Sequence, residues 1–260
     1  MLLKREGQAD MMSWREKLEV FLKDFEHQDQ IVGVLAFGSY ITGRPLPHSD
    51  LDVYIVLDDR VSFEEKGSRV VGGLLVEYYA KPLRLINKEL DQHFESRALI
   101  TQNIFAIGEI IFDKAGAVKA LKERSKTMLE GFYNREDSPL PEDEKAYFCD
   151  MLYDLKDGVD KPHFDFMYFN SLDRMLEEYM RCINRPYRFK TMLDGIVDRD
   201  FAKKNLLKEM PHKDITDMIA DAIIAKTNEE KIEKFEELAW GIINKFGGFD
   251  IGSFTVRKEV

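Results

Sequence analysis

Phe37-Gly38-Ser39-Tyr40 and, with ten residues between Ser39 and the first acid, Asp50-Leu51-Asp52-Val53-Tyr54-Ile55-Val56 decide how this chain is read. Residues 31–37 and 51–57 are apolar runs that read as two buried strands, and the loop between them carries Gly43, Arg44, Pro45 and Pro47. In a strand successive side chains point to opposite faces, so Asp50 and Asp52 share a face while Leu51 turns away. Two carboxylates side by side repel each other unless a cation sits between them. Hard divalent ions such as Mg²⁺ are held this way, by one or two carboxylates plus substrate phosphates. A glycine followed by serine at a strand end lets backbone amides and a hydroxyl approach a phosphate with no side chain in the way. A phosphate site and a metal site are therefore expected together.

Working outward, residues 1–10 read as an irregular start. Ser13 with Glu16 three positions on forms a capping box, after which Leu18, Phe21, Leu22 and Phe25 recur at helical spacing, giving a helix that runs to Glu26. Downstream, Asp58-Asp59 marks a turn, and residues 68–71 and 74–80 flank Gly72-Gly73 as a two-residue hairpin. On the second arm Leu75, Glu77 and Tyr79 share one face, and Glu77 is the only acid in that apolar and aromatic strand. Residues 86–107 carry a helical pattern that Gly108 stops, 109–112 a short strand, and 117–129 another helix. The order implies a mixed sheet of about five strands covered by helices.

Ser138-Pro139-Leu140-Pro141 interrupts this alternation and predicts a domain boundary, with residues 1–137 before it and 138–260 after. Beyond it the apolar stripes are helical: Tyr147, Phe148, Met151, Leu152 and Leu155; Phe164, Tyr168, Leu172, Met175, Leu176 and Tyr179; Ile215, Met218, Ile219, Ala222 and Ile223; Ile232, Phe235, Leu238, Ile242 and Phe246. Four amphipathic helices joined by short loops predict an all-α bundle. The fold class expected is α+β followed by a helical domain, with the cleft between sheet and bundle as the place for a substrate.

Composition narrows the function. The chain has 44% hydrophobic and 33% charged residues, a soluble globular balance. No run approaches the ~18 apolar residues of a membrane span. The opening Met1-Leu2-Leu3-Lys4-Arg5-Glu6 lacks a secretory pattern, and Cys149 and Cys182 sit in amphipathic segments without metal-ligand spacing, which together predict a cytoplasmic protein with buried thiols. A net charge of −10 argues against a nucleic-acid partner. The five histidines are too scattered for a zinc site, and neither a nucleophile elbow nor a P-loop lysine pattern is present.

The joint spacing of Gly38-Ser39 and Asp50-Leu51-Asp52 resembles the nucleotidyltransferase superfamily, whose pattern is an apolar residue, Gly, Gly or Ser, about ten residues, then Asp, apolar, Asp or Glu. A helical second domain is also similar to antibiotic nucleotidyltransferases of the aminoglycoside and lincosamide type. The resemblance implies that Gly38 and Ser39 hold a nucleoside triphosphate, that Asp50 and Asp52 bind two Mg²⁺ ions, and that Glu77 completes the site as base or ligand. Arg44 and Lys81 are candidates to neutralise the triphosphate. The activity implied is transfer of a nucleoside monophosphate, AMP, onto a hydroxyl of a small-molecule acceptor such as an aminoglycoside-like antibiotic, with release of pyrophosphate. Two alternatives stand beside it: a catalytically silent module of the same fold, and transfer onto a protein or RNA. A homodimer is compatible with all three.

Overall fold

The structure is a computed structural model that describes residues 12–187 and 189–257; the irregular start expected over residues 1–10 lies outside the described residues. The chain separates into two compact units, one ending at Glu130 and including the short segment Lys204–Leu206, the other formed by Gly131–Lys203 and the residues from Leu207 on.

The first unit begins with helix α1 (Trp14–Lys23), whose capping box is formed as the sequence predicts: Glu16 N donates to Ser13 Oγ at 3.3 Å and Ser13 N to Glu16 Oε2 at 2.6 Å. Strand β1 (Ile31–Phe37) leads into a four-residue helix α2 (Ser39–Thr42), then β2 (Leu51–Leu57), β3 (Glu65–Val71) and β4 (Leu74–Pro82). The remainder is α3 (Leu83–Glu95), α4 (Ile100–Ile107), β5 (Glu109–Asp113) and α5 (Ala117–Tyr133). The expected single helical stretch over 86–107 is two helices, because Arg97 and Leu99 adopt positive φ (62° and 51°) and break the ladder between them.

The five strands form one sheet in the order β3-β4-β2-β1-β5. β1 is antiparallel to β2 and β5, β3 is antiparallel to β4, and β2 is parallel to β4. The parallel pair arises because β3 runs out and β4 returns through the Gly72-Gly73 turn, both glycines at positive φ (50° and 79°) as a tight hairpin demands.

Both faces of the sheet are buried, which is why β1 and β2 read as continuous apolar runs. On one face Leu18 and Phe21 of α1 pack with Val34, Ala36, Val53, Ile55 and Val76. On the other, Leu35, Tyr54 and Val56 meet Ile86 and Leu90 of α3, Phe105 of α4 and Leu121 of α5. Asp52 lies between Val53 and Leu51 in β2, so it shares the face of Tyr54 and Val56, at the end where that helical cover begins.

The second unit holds α6 (Glu142–Asp157), α7 (Phe164–Cys182), α8 (Phe189–Val197), α9 (Arg199–Lys204, its last residue assigned to the first unit), α10 (Lys213–Ile224) and α11 (Asn228–Lys245). The four predicted stripes supply its core, with Phe148, Leu155, Tyr168, Leu172, Ile219, Phe235 and Ile242 fully buried. Tyr168 buries its ring there and still donates its hydroxyl to Ala222 O at 2.6 Å. The short helices α8 and α9 were not among the four expected; at nine and six residues they are too short for an apolar stripe to recur over several turns. Ser138-Pro139-Leu140-Pro141 is tied by hydrogen bonds to residues of the second unit. Ser138 N donates to Cys182 O at 2.7 Å, Asn184 Nδ2 to Glu136 O at 2.6 Å, and Pro141 is the residue that precedes α6. Both cysteines are buried thiols outside any disulfide, and Cys182 Sγ donates to Pro139 O at 3.8 Å. Among the described residues no helix is long and apolar enough to cross a membrane.

Candidate functional site

Strand β1 ends at Gly38, with φ 75° and ψ −156°, a backbone conformation open in practice only to glycine. A second constraint acts on the same residue: a Cβ there would stand 2.0 Å from Asp52 Oδ2 and 3.0 Å from Asp52 Cγ. Ser39 follows as the first residue of α2, where helix geometry leaves the leading amides without intrahelical partners. The turn is closed by Thr42 Oγ1 donating to Gly38 O at 3.2 Å and by Arg44 N donating to Ser39 O at 2.9 Å past Gly43, which sits at φ 81°. Arg44 thus leaves from the far end of the same turn.

The register of the sheet brings the acids together. Phe37 pairs with Asp52, Asp52 with Glu77 in the parallel ladder, and Glu77 with Ser68 in the hairpin. Paired residues point to one face, so the carboxylates of Asp52 and Glu77 stand side by side across one strand spacing. Asp50 lies just before β2, and one carboxylate oxygen from each of Asp50, Asp52 and Glu77 lies within 4.8 Å of the others. All three are half-buried. Burial first, then the charges of Asp50 and Glu77, push the Asp52 carboxyl up to about 7. Three oxygen donors converge, and burial together with the charges of Asp50 and Glu77 favours the protonated form of Asp52. Oxygen-only donors with excess negative charge fit a hard divalent ion.

Lys81 does not join this site. It lies on the same strand and face as Glu77 but is level with Val56, four residues from the Asp52 row. Its ammonium is held by Glu89 Oε2 at 2.9 Å and Glu64 Oε2 at 3.3 Å. Glu89 also accepts from Tyr54 OH at 3.2 Å and Thr101 Oγ1 at 3.0 Å, so Lys81 belongs to a polar knot that ties the sheet to α3 and α4. The sequence could not supply its partners, which come from distant elements. The sequence reading also passed over Ser68 and Lys66. Ser68 pairs with Glu77 and Lys66 with Tyr79, and the Lys66 ammonium lies 4.8 Å from the Tyr79 ring centroid. Their positions follow from the two-residue Gly72-Gly73 turn, which sets the register of the hairpin.

The exposed residues of α6 include Asp150, Asp154 and Asp157 with Tyr153, and also Tyr147, which the apolar stripe placed in the core but which turns to solvent. They form the outward face of that helix.

Comparison with known proteins bears on the class of domain. Residues 18–107 match the model of the nucleotidyltransferase domain, a span that contains the Gly38-Ser39 turn, Asp50, Asp52 and Glu77. No curated protein matches the chain. A solved structure described as a nucleotidyltransferase-like protein from Exiguobacterium sibiricum 255-15 is similar with 12% identity and a TM-score of 0.38, covering 90% of this chain and 77% of that one. A likeness at that level adds no weight to the fold or the chemistry.

Proposed function

We propose that the first unit is a divalent-metal-dependent nucleotidyltransferase that moves a nucleoside monophosphate, AMP in the simplest case, from a triphosphate to a hydroxyl of a small-molecule acceptor. The observation that carries this reading is the convergence of Asp50, Asp52 and Glu77 at the mouth of the Gly38-Ser39 turn. The match of residues 18–107 to a nucleotidyltransferase domain supports nucleotidyl transfer as the class of chemistry.

In this reading the Gly38 turn, free of any Cβ, lets the triphosphate approach the backbone, and the Ser39 hydroxyl donates to a phosphate oxygen. Asp50 and Asp52 hold the ions, and Glu77 ligates beside Asp52 or accepts the proton of the attacking hydroxyl. A pair of Mg²⁺ ions, when bound, stabilises the entering and leaving oxygens of an in-line displacement at the α-phosphate. Arg44, at the end of the turn, is placed to offset triphosphate charge. Tyr54 and Val56, next along the same face from Asp52, continue it as buried core.

A silent module has no use for three adjoining carboxylates, since their mutual repulsion lowers stability with no return. The excess charge around Asp52 therefore favours an ion-binding site over a relic. An aminoglycoside-like acceptor is one member of the acceptor class, supported only by the general likeness of a sheet domain followed by helices.

The test is a screen of labelled nucleoside triphosphates against pooled hydroxyl compounds with Mg²⁺, read as pyrophosphate release and label transfer. Transfer that disappears in Asp50→Asn and Asp52→Asn supports the reading. Absence of transfer with every nucleotide, together with no stabilisation of the protein by Mg²⁺ and ATP, would refute it.

A further inference from the structure

The Gly38-Ser39 turn lies on the β1 side of Asp52, whereas Glu77 and then Ser68 lie on the opposite side, one and two strands away. Two strand spacings put the Ser68 row about 10 Å from the Asp52 row. For an in-line displacement the entering oxygen must come from the side opposite the leaving pyrophosphate. With the triphosphate on the β1 side, the acceptor has to lie over β4 and β3.

That flank has a definite chemistry. β3 is the sheet's edge strand, and its residues on the Glu77 face are Lys66, Ser68 and Val70. Val70 and its partner Leu75 are open to solvent, 61% and 41% exposed, next to the Ser68–Glu77 pair. On the other side of that pair Lys66 is exposed and stands over Tyr79, whose ring stacks at 6.1 Å and 24° on the buried Tyr54. The flank therefore presents, in order along β3, an apolar patch, a hydroxyl beside the third carboxylate, and a cation supported by an aromatic ring.

A cation in that position has two uses. It offsets Glu77 while the carboxylates are bare, and once ions are bound to the carboxylates its charge faces the acceptor. We propose that this flank is the acceptor subsite and that Lys66 selects an acceptor bearing an anionic group, a phosphate ester or a carboxylate, near its reactive hydroxyl. Ser68 hydrogen-bonds the acceptor beside Glu77, and Val70 with Leu75 cover its apolar part. The proposal rests on the nucleotidyl-transfer reading and narrows its acceptor. It sets an aminoglycoside-like polycation below anionic acceptors, since a like charge at Lys66 opposes it.

The experiment uses the full chain with labelled ATP, Mg²⁺ and matched acceptor sets: glucose, glucose 6-phosphate, gluconate and glucosamine, and glycerol, glycerol 3-phosphate and glycerate. Transfer should favour the anionic members, and the phosphate and carboxylate compounds separate the two sources of charge. Lys66→Met should raise the KM of the preferred anionic member about tenfold, the scale of one charge-assisted hydrogen bond, while leaving the KM for ATP unchanged. Lys66→Arg should restore most of it. Lys66 is an exposed edge residue, so neither variant threatens folding. Preference for glucose, glycerol or glucosamine, or a Lys66→Met effect that falls on ATP alone, overturns this proposal and leaves nucleotidyl transfer standing. Transfer to no member of either set counts against both.

Discussion

The side chain that Gly38 lacks would have to occupy the space of the Asp52 carboxylate, since a Cβ built there comes within 2.0 Å of Oδ2. The phosphate turn and the metal-ligand strand are thus packed backbone against carboxylate, and neither can change alone. Gly38→Ala should destabilise the protein by about 1 to 3 kcal/mol, the usual cost of a side chain in a glycine-only conformation. It should also displace Asp52 and abolish transfer. The double variant Gly38→Ala with Asp52→Ala should lose less stability than the sum of the two single variants, because the steric part vanishes and only the backbone strain remains. Urea denaturation of the four proteins measures this; strict additivity would show that the two residues do not press on each other.

Asp52 makes the stability of the metal-free protein depend on pH in a definite direction. Burial and the neighbouring carboxylates push its pKa up from the ordinary 3.8 of an aspartate to about 7, so the protonated carboxyl is favoured by folding. Its contribution is fully present below pH 4, declines as the unfolded chain ionises, and is gone once pH passes about 7. Asp52→Asn should accordingly match the wild type near pH 4 and exceed it in stability at pH 7.5, by less than the full shift would give because the group is partly solvated. Mg²⁺ should raise the melting temperature of the wild type and not that of Asp50→Asn or Asp52→Asn. A stability difference that does not vary with pH would contradict the crowding of charge at Asp52.

Ser39→Ala tests the phosphate turn. The hydroxyl is expected to contribute about 1 to 2 kcal/mol as a hydrogen bond to a charged oxygen. Calorimetry with Mg²⁺ and a non-hydrolysable triphosphate should show that loss in nucleotide affinity, with the acceptor's KM unaltered. Equal nucleotide affinity in variant and wild type would remove Ser39 from the site.

Lys81→Met separates a structural lysine from a catalytic one. The Lys81 and Glu89 side chains are 22% and 23% exposed, so removing the ammonium leaves a half-buried carboxylate held by the neutral hydroxyls of Tyr54 and Thr101. A loss of about 1 to 3 kcal/mol in stability is expected. The KM for the triphosphate should not change. A large nucleotide effect at full stability would return Lys81 to the active site.

Local information was sufficient wherever the physics is local. The Ser13–Glu16 capping box, the Gly72-Gly73 hairpin and the apolar runs of β1 and β2 each depend on residues within a few positions of one another, and each is readable in the chain. Gly38-Ser39 and Asp50-Leu51-Asp52 belong to the same class, because a strand's two-residue period places the acids without reference to anything distant. What the chain could not state is the parallel pairing of β2 with β4, in register Asp52 to Glu77, since strand pairing is a contest among all strands for burial on both faces of the sheet. That pairing, decided only in the tertiary structure, turned an isolated glutamate into the third member of a carboxylate cluster, and the same register set Lys81 beyond its reach among Glu64 and Glu89. The raised carboxyl of Asp52 is a consequence of the folded state for the same reason: burial and the approach of Asp50 and Glu77 exist only once the sheet has closed over them.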